Sequence, residues 1–199
     1  MASNTLDVQE LYVAYFSRPA DVAGLDYWTD ALDANPNALQ DLSRSFSQSQ
    51  EYRDTFAGMD NRAIVAEVYD NLFSREAETA GIDYWAGLLN NNAITIDNVV
   101  TQIANGAKGN DSVAFNGKVA VAAMFTERLD QPNEVAAYKG DAANDIAVQY
   151  LATVRDLGSA ASAIDPGVVD SWIGRIVAAH GSSVELVGVQ TEVEGVPGM

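Results

Sequence analysis

The chain is 199 residues long, 48% hydrophobic by composition, with a formal net charge of -17 and no cysteine. A core of ordinary size is therefore available, disulfide staples and thiolate metal sites are excluded, and a nucleic acid or a bare anionic membrane is opposed electrostatically. No run of about 18 apolar residues occurs, so no transmembrane segment is expected, and the start "MASNTLDVQELYVAYF" lacks the basic end and apolar stretch of a Sec-type leader.

In chain order, the first element is a helix on which Leu11, Tyr15 and their neighbours form an apolar stripe. A loop with Arg18 follows. Asp21 is placed to cap a second helix, where Leu25, Trp28 and Leu32 recur at spacings of three and four. Asn35-Pro36 is expected to open a third helix carrying Leu39, Leu42 and Phe46, and a short piece with Tyr52 and Phe56 ends at Gly58. Ile64 to Phe73 then restarts the series. Thr79 is expected to cap the helix of Ile82, Trp85 and Leu89, and Thr95 to Ala104 is expected to form the counterpart of the third helix.

The restart is a duplication. Residues 15–28 read "YFSRPADVAGLDYW" and residues 72–85 read "LFSREAETAGIDYW". Tyr12 aligns with Tyr69, Phe16 with Phe73, Arg18 with Arg75, Gly24 with Gly81, Trp28 with Trp85 and Leu32 with Leu89, each pair 57 positions apart. A catalytic site rarely needs duplication, whereas a building unit often does.

The second half changes character. Val113 to Phe125 is apolar on nearly all sides and rich in alanine, as expected of a central helix packed by several others. Gln131-Pro132 starts a further helix. Asp141 is expected to cap one containing Ile146, Tyr150, Leu151 and Val154 and closing at Gly158. Asp165-Pro166 opens the last, with Val169, Trp172, Ile173 and Ile176, closing near Gly181 and leaving His180 at a helix end. The remainder alternates apolar and polar residues like a strand or linker leading into a β-rich continuation. The expected organisation is an all-α, multi-helix bundle of about nine to eleven helices. Residues 1–58 form the first helical repeat, 59–110 the second, 111–181 further helices packed on them, and 182–199 a linker or the start of a following β region.

Catalytic constellations are missing from the pattern: no Cys-His pair, Gly-x-Ser-x-Gly elbow or phosphate loop occurs, and "AKGNDS" and "KGDAAND" lack the ligand spacing of a calcium hand. The chain is therefore expected not to be an enzyme and to hold no cofactor or metal within these residues. Two repeated features stand out. Arg18 and Arg75 each present a planar fork of donors in an interhelix loop, either to clamp two helices together or to bind a carboxylate or sugar phosphate; Asp26 and Asp83 are the candidate partners. Trp28 and Trp85 fit the buried stripes, whereas Tyr27 and Tyr84 stand roughly 100° away on their helices and can reach the surface, where aromatic rings stack on sugars.

The phrase Phe-Ser-Arg-x5-Gly-Leu/Ile-Asp-Tyr-Trp, with Ser49-x-Glu51-Tyr52 and "NGKVAVAAMFT" at 116–126, resembles the family called domain of unknown function 4214 over roughly residues 5 to 130. It is more distantly similar to the helical domains of phycobilisome linker proteins. The second copy departs from the pattern at Glu76 and Glu78, which replace Pro19 and Asp21. The resemblance implies an all-α fold without known catalysis, in large secreted bacterial surface proteins, including surface-layer and calcium-repeat proteins exported by type I systems. From it follow the expectations of a secreted, cell-surface location and of anchoring to cell-envelope polysaccharide, the O-polysaccharide of lipopolysaccharide. Self-association in an array is a further expectation; no cofactor is expected within these residues, and Ca²⁺ is an open expectation for a full-length protein only. A protein–protein linker or self-assembly module is the alternative.

Overall fold

Helix-period spacing of apolar residues becomes helix along nearly the whole chain in the computed structural model, which describes residues 3–35 and 37–185. Twelve helices and no strand occur among the described residues. The first repeat contains α1 (Ser3–Phe16), α2 (Val22–Ala34), α3 (Ala38–Ser47) and α4 (Gln50–Thr55); the second contains α5 (Asn61–Phe73), α6 (Thr79–Asn90) and α7 (Val99–Gly106). The helix α8 (Asn110–Glu127) follows, then α9 (Pro132–Ala137), α10 (Asp141–Ala152), α11 (Leu157–Ala163) and α12 (Pro166–Glu185). The expected β or linker tail at 186–199 lies outside the described residues.

Two long-range seams make one body of these elements. α1 packs against α2, α3, α7 and α8, and α7 also packs against α5, so the second repeat's third helix closes on both repeats. Buried Tyr15 donates to the carbonyl of Asp97 at 2.8 Å, and buried Tyr52 donates to that of Ile96 at 2.5 Å, so first-repeat aromatics hold down the loop that leads into α7. α8 is the central helix its composition predicts, packed by α1, α5, α10, α11 and α12. Phe115, Val121, Ala122 and Phe125 are buried on it, a spread that explains why it shows no polar face.

Several expected boundaries shift. α3 starts at Ala38, because Asn35 instead closes α2 with its N–H on the Ala31 carbonyl while its side chain accepts from Asn37 N–H. Glu78, not Thr79, is the N-cap of α6; Thr79 is already helical. α7 begins at Val99, because the Asn98 side chain folds back to accept from Thr95 N–H at 3.0 Å. Gly140 with φ +83° precedes α10, so Asp141 sits in its first turn and is not its cap. The segment expected to run to Gly158 is two helices: α10 ends at Ala152, and an Asp156–Ser159 capping box starts α11, with Gly158 inside it. α12 continues through Gly181, since a lone glycine costs a helix only about 1 kcal/mol, and His180 lies within it.

Candidate functional site

The duplicated phrase builds the same small machine twice. Each first helix ends on a serine in the left-handed conformation, Ser17 at φ 54° and Ser74 at φ 51°, and this turn throws the following arginine back across the helix end. Arg18 grips Glu51 with two parallel bonds, Nε to Oε1 at 2.7 Å and Nη2 to Oε2 at 3.0 Å. Arg75 grips Asp111 in the same fork, at 2.7 and 2.8 Å. Each guanidinium also lies over the ring of the helix tyrosine, 5.6 Å from Tyr12 and 5.2 Å from Tyr69. The tyrosine in turn explains the glycine. A Cβ at Gly81 would stand 3.1 Å from the Tyr69 hydroxyl, and one at Gly24 would collide with that of Tyr12.

The expected partners of the arginines are thus corrected. Asp26 is exposed and pairs with no cation among the described residues, and Asp83 pairs with Arg62. Both lie beyond the glycine on the outward side of their helix, whereas the carboxylates that reach the arginine loops come from the first turns of α4 and α8. Glu51 follows Arg18 by 33 residues and Asp111 follows Arg75 by 36, so the second partner stands outside the 57-position register of the repeat and is hidden from a gapless alignment.

The copies differ in their surroundings. Around Arg18, Tyr138 donates to the Pro19 carbonyl at 2.7 Å, Thr126 donates to that of Ala20 at 2.7 Å, and Gln9 accepts from Ala20 N–H at 3.2 Å. Arg18 is left 8% exposed. Burial works against its charge, but the bonds to Glu51 outweigh burial and hold its pKa above the ordinary value. Tyr12 beneath it is pushed up to about 12 by burial and then by the charge of Asp21. The second loop lies open. Glu78 does not cap α6 as Asp21 caps α2; it turns to Arg75 at 2.9 Å, and the Arg75 side chain keeps 33% exposure. Neither guanidinium is free for a ligand.

Tyr27 and Tyr84 remain. They are 66% and 61% exposed, and each meets its neighbouring tryptophan edge to face with centroids 5.0 Å apart. Trp28 and Trp85 are half-buried against the core, and Trp85 Nε1 donates to the Tyr69 hydroxyl at 3.2 Å. Each tyrosine is therefore a rigid outward aromatic face on a tryptophan base. A cavity of about 340 Å³ between α1, α3 and α7 adds a rim of Asp7, Glu10, Gln40 and Asn105 over a floor that includes Leu11 and Phe115. Burial, then the charge of Asp7, raises the Glu10 pKa.

Sequence reading passed over Lys118, which looks like one polar residue in an alanine-rich run yet is only 2% exposed. Its ammonium donates to the Asn71 carbonyl at 2.5 Å, and burial lowers its pKa to about 8. No group of three or more potential metal ligands is assembled among the described residues, and no described helix is long and apolar enough to cross a membrane.

Residues 43–109 match the family model described as Domain of unknown function (DUF4214), a stretch that contains Glu51 and the whole second copy of the repeated phrase. The resemblance read from the sequence holds there. No curated protein and no solved structure matches the chain.

Proposed function

We propose that this chain is a non-enzymatic anchoring module of a secreted bacterial surface-layer protein, attaching it to the O-polysaccharide of lipopolysaccharide. The observation that carries the reading is the pair Tyr27 and Tyr84. Of the recurring aromatic residues, Phe16, Phe73, Trp28 and Trp85 pack on the core, whereas these two repeat at equivalent positions while facing solvent, beside the exposed Asp26 and Asp83. Exposed aromatic faces stack on sugar rings, and two of them suit a polymer whose units recur. The acceptor-rich rim around Asp7, Glu10, Gln40 and Asn105 fits sugar hydroxyl donors and adds support. A charge of -17 opposes a bare anionic lipid surface, so the contact is to neutral or zwitterionic sugar, or is bridged by Ca²⁺ from solution.

The test is a pull-down of the purified chain on whole cells and on isogenic cells lacking O-polysaccharide. Retention on the first and loss on the second is the expected result; equal retention rejects glycan anchoring. One observation favours a second reading, association between protein surfaces. Val113 and Leu157 stand exposed along the apolar junction of α8 and α11. Concentration-dependent oligomers of the isolated chain, together with equal retention on both cell types, would select it.

A further inference from the structure

The C-terminal ends of α1 and α5, related by the duplication, meet over α8 and α10 and enclose a cavity of about 190 Å³. The two left-handed serines, Ser17 and Ser74, line it, with Lys118 from α8 and Arg155 from the turn after α10. The donors there exceed what the packing uses. The Lys118 ammonium has three N–H groups and one protein acceptor among the described residues, the Asn71 carbonyl, and it forms no ion pair with any of them. The Ser74 hydroxyl is buried without a protein partner. Arg155 is exposed at the mouth, and its guanidinium forms no ion pair among the described residues.

The carbonyl ends of two helices account for one cation at this place, since a helix C-terminus carries about half a negative charge. They do not account for a second cation or for an unpartnered hydroxyl. Asp70, exposed on α5 at the rim, is the carboxylate whose charge reaches Lys118; Ser17 just after α1 and the α10 residues Val148 and Ala152 contribute no charge. Two formal cations and one carboxylate thus surround a pocket in a chain whose net charge is -17. A buried ammonium with spare donors is costly unless an anion or several hydrogen bonds satisfy it.

We propose that this cavity binds a small oxyanion, a carboxylate or phosphate-type group, held by Lys118, Ser74 and Arg155. The volume is several times the roughly 30 Å³ that one water occupies in the liquid, so a single tetrahedral or planar oxyanion head fits. The ligand enters past Ala152, Asp70 and Arg155, all exposed. The site shares no residue with the tyrosine surface and stands whether or not the chain binds glycan. Its pH response follows from its cation: affinity falls as pH rises through about 8, where burial places the Lys118 pKa, and not near the ordinary lysine value.

The experiment is an NMR titration of the full chain at pH 6.5 with inorganic phosphate and, separately, with acetate, in zwitterionic buffer. Saturable shifts at the amides of Ser17, Ser74 and Lys118, in the millimolar range or tighter, are expected with at least one probe. Response to phosphate alone assigns a phosphoryl ligand, to acetate alone a carboxylate, and to both a general oxyanion site. Arg155→Gln, at an exposed position, should fold normally and weaken binding about tenfold, as loss of one charge-assisted bond does. Lys118→Met should abolish binding. Two results overturn the proposal: no saturable shift with either probe at tens of millimolar, as for a cavity filled by water alone, or an unchanged titration in Arg155→Gln.

Discussion

Arg18 and Arg75 do one job under unequal conditions, and their substitution should separate the conditions from the job. Arg18 is sealed by Tyr138 and Thr126 chemistry on its loop, with Glu51 half-buried beside it. Removing this buried guanidinium breaks the fork to Glu51 and the bond to the Pro19 carbonyl and leaves a void, so Arg18→Ala should lower stability by about 3 kcal/mol. Arg75 and Asp111 stay partly in water, and solvent screening reduces the effect of Arg75→Ala to about 1 kcal/mol. Urea unfolding of the two variants checks this, and equal losses would show that burial does not set the difference. Lys118 gives a pH signature. Its folded pKa of about 8 lies below the ordinary lysine value of 10.5, so the unfolded chain binds the extra proton between those values. Stability from this group therefore rises with pH across that window, by on the order of 3 kcal/mol at 1.36 kcal/mol per unit. Lys118→Met removes the dependence, so between pH 7 and pH 10.5 the parent should gain that amount of stability relative to the variant. A pH-independent difference would contradict the assignment.

At the scale of elements, α11 is a helix of seven residues that exists through its cap. Asp156 accepts from Ser159 N–H at 2.8 Å, and Ser159 Oγ accepts from Asp156 N–H at 2.9 Å. Asp156→Ala should lower the urea midpoint with unchanged slope. A lower slope would mean that α11 detaches by itself. The same cap shows what the sequence made legible. About nine to eleven helices could be read, because apolar residues recur at three and four, as in Leu25, Trp28 and Leu32, and Pro or capping residues mark starts. α11 offers "LGSAASA", in which alanines Ala160 and Ala163 are the buried residues and no large side chain marks a face. The Arg18 and Arg75 loops were legible as clamps, but their partners were not. A bidentate pair is a fact of three-dimensional approach, and Asp26 and Asp83 were carboxylates that recur at the same place in both copies, one helical stretch beyond the arginines. Tyr27 and Tyr84 were legible as outward-facing, since one helical step from a buried tryptophan turns a side chain about 100°. Lys118 was hidden because nothing local distinguishes a buried lysine from an exposed one.

At the scale of the whole molecule, duplication places two aromatic faces on one rigid chain, and rigidity decides what that is worth. α1 and α7 lock the repeats together, so the spacing of Tyr27 and Tyr84 is fixed by packing and not by a linker. When both engage the same polymer, the second contact forms at an effective concentration set by that spacing. Two weak contacts then hold far more firmly than one. Tyr27→Ala and Tyr84→Ala should each leave stability within about 0.5 kcal/mol, because both rings are mostly in solvent. If the two faces act together, either single substitution weakens retention on O-polysaccharide-bearing cells at least about tenfold, and the double substitution removes it. Independent faces would instead show a loss of about twofold for each single change, since half the contacts persist. Dilution of the labelled variants over intact cells distinguishes these cases, with the strain lacking O-polysaccharide as the baseline. Unaltered retention in the double variant would move the contact away from the tyrosines and to the rim of Asp7, Glu10, Gln40 and Asn105, where Gln40→Ala is the next substitution to measure.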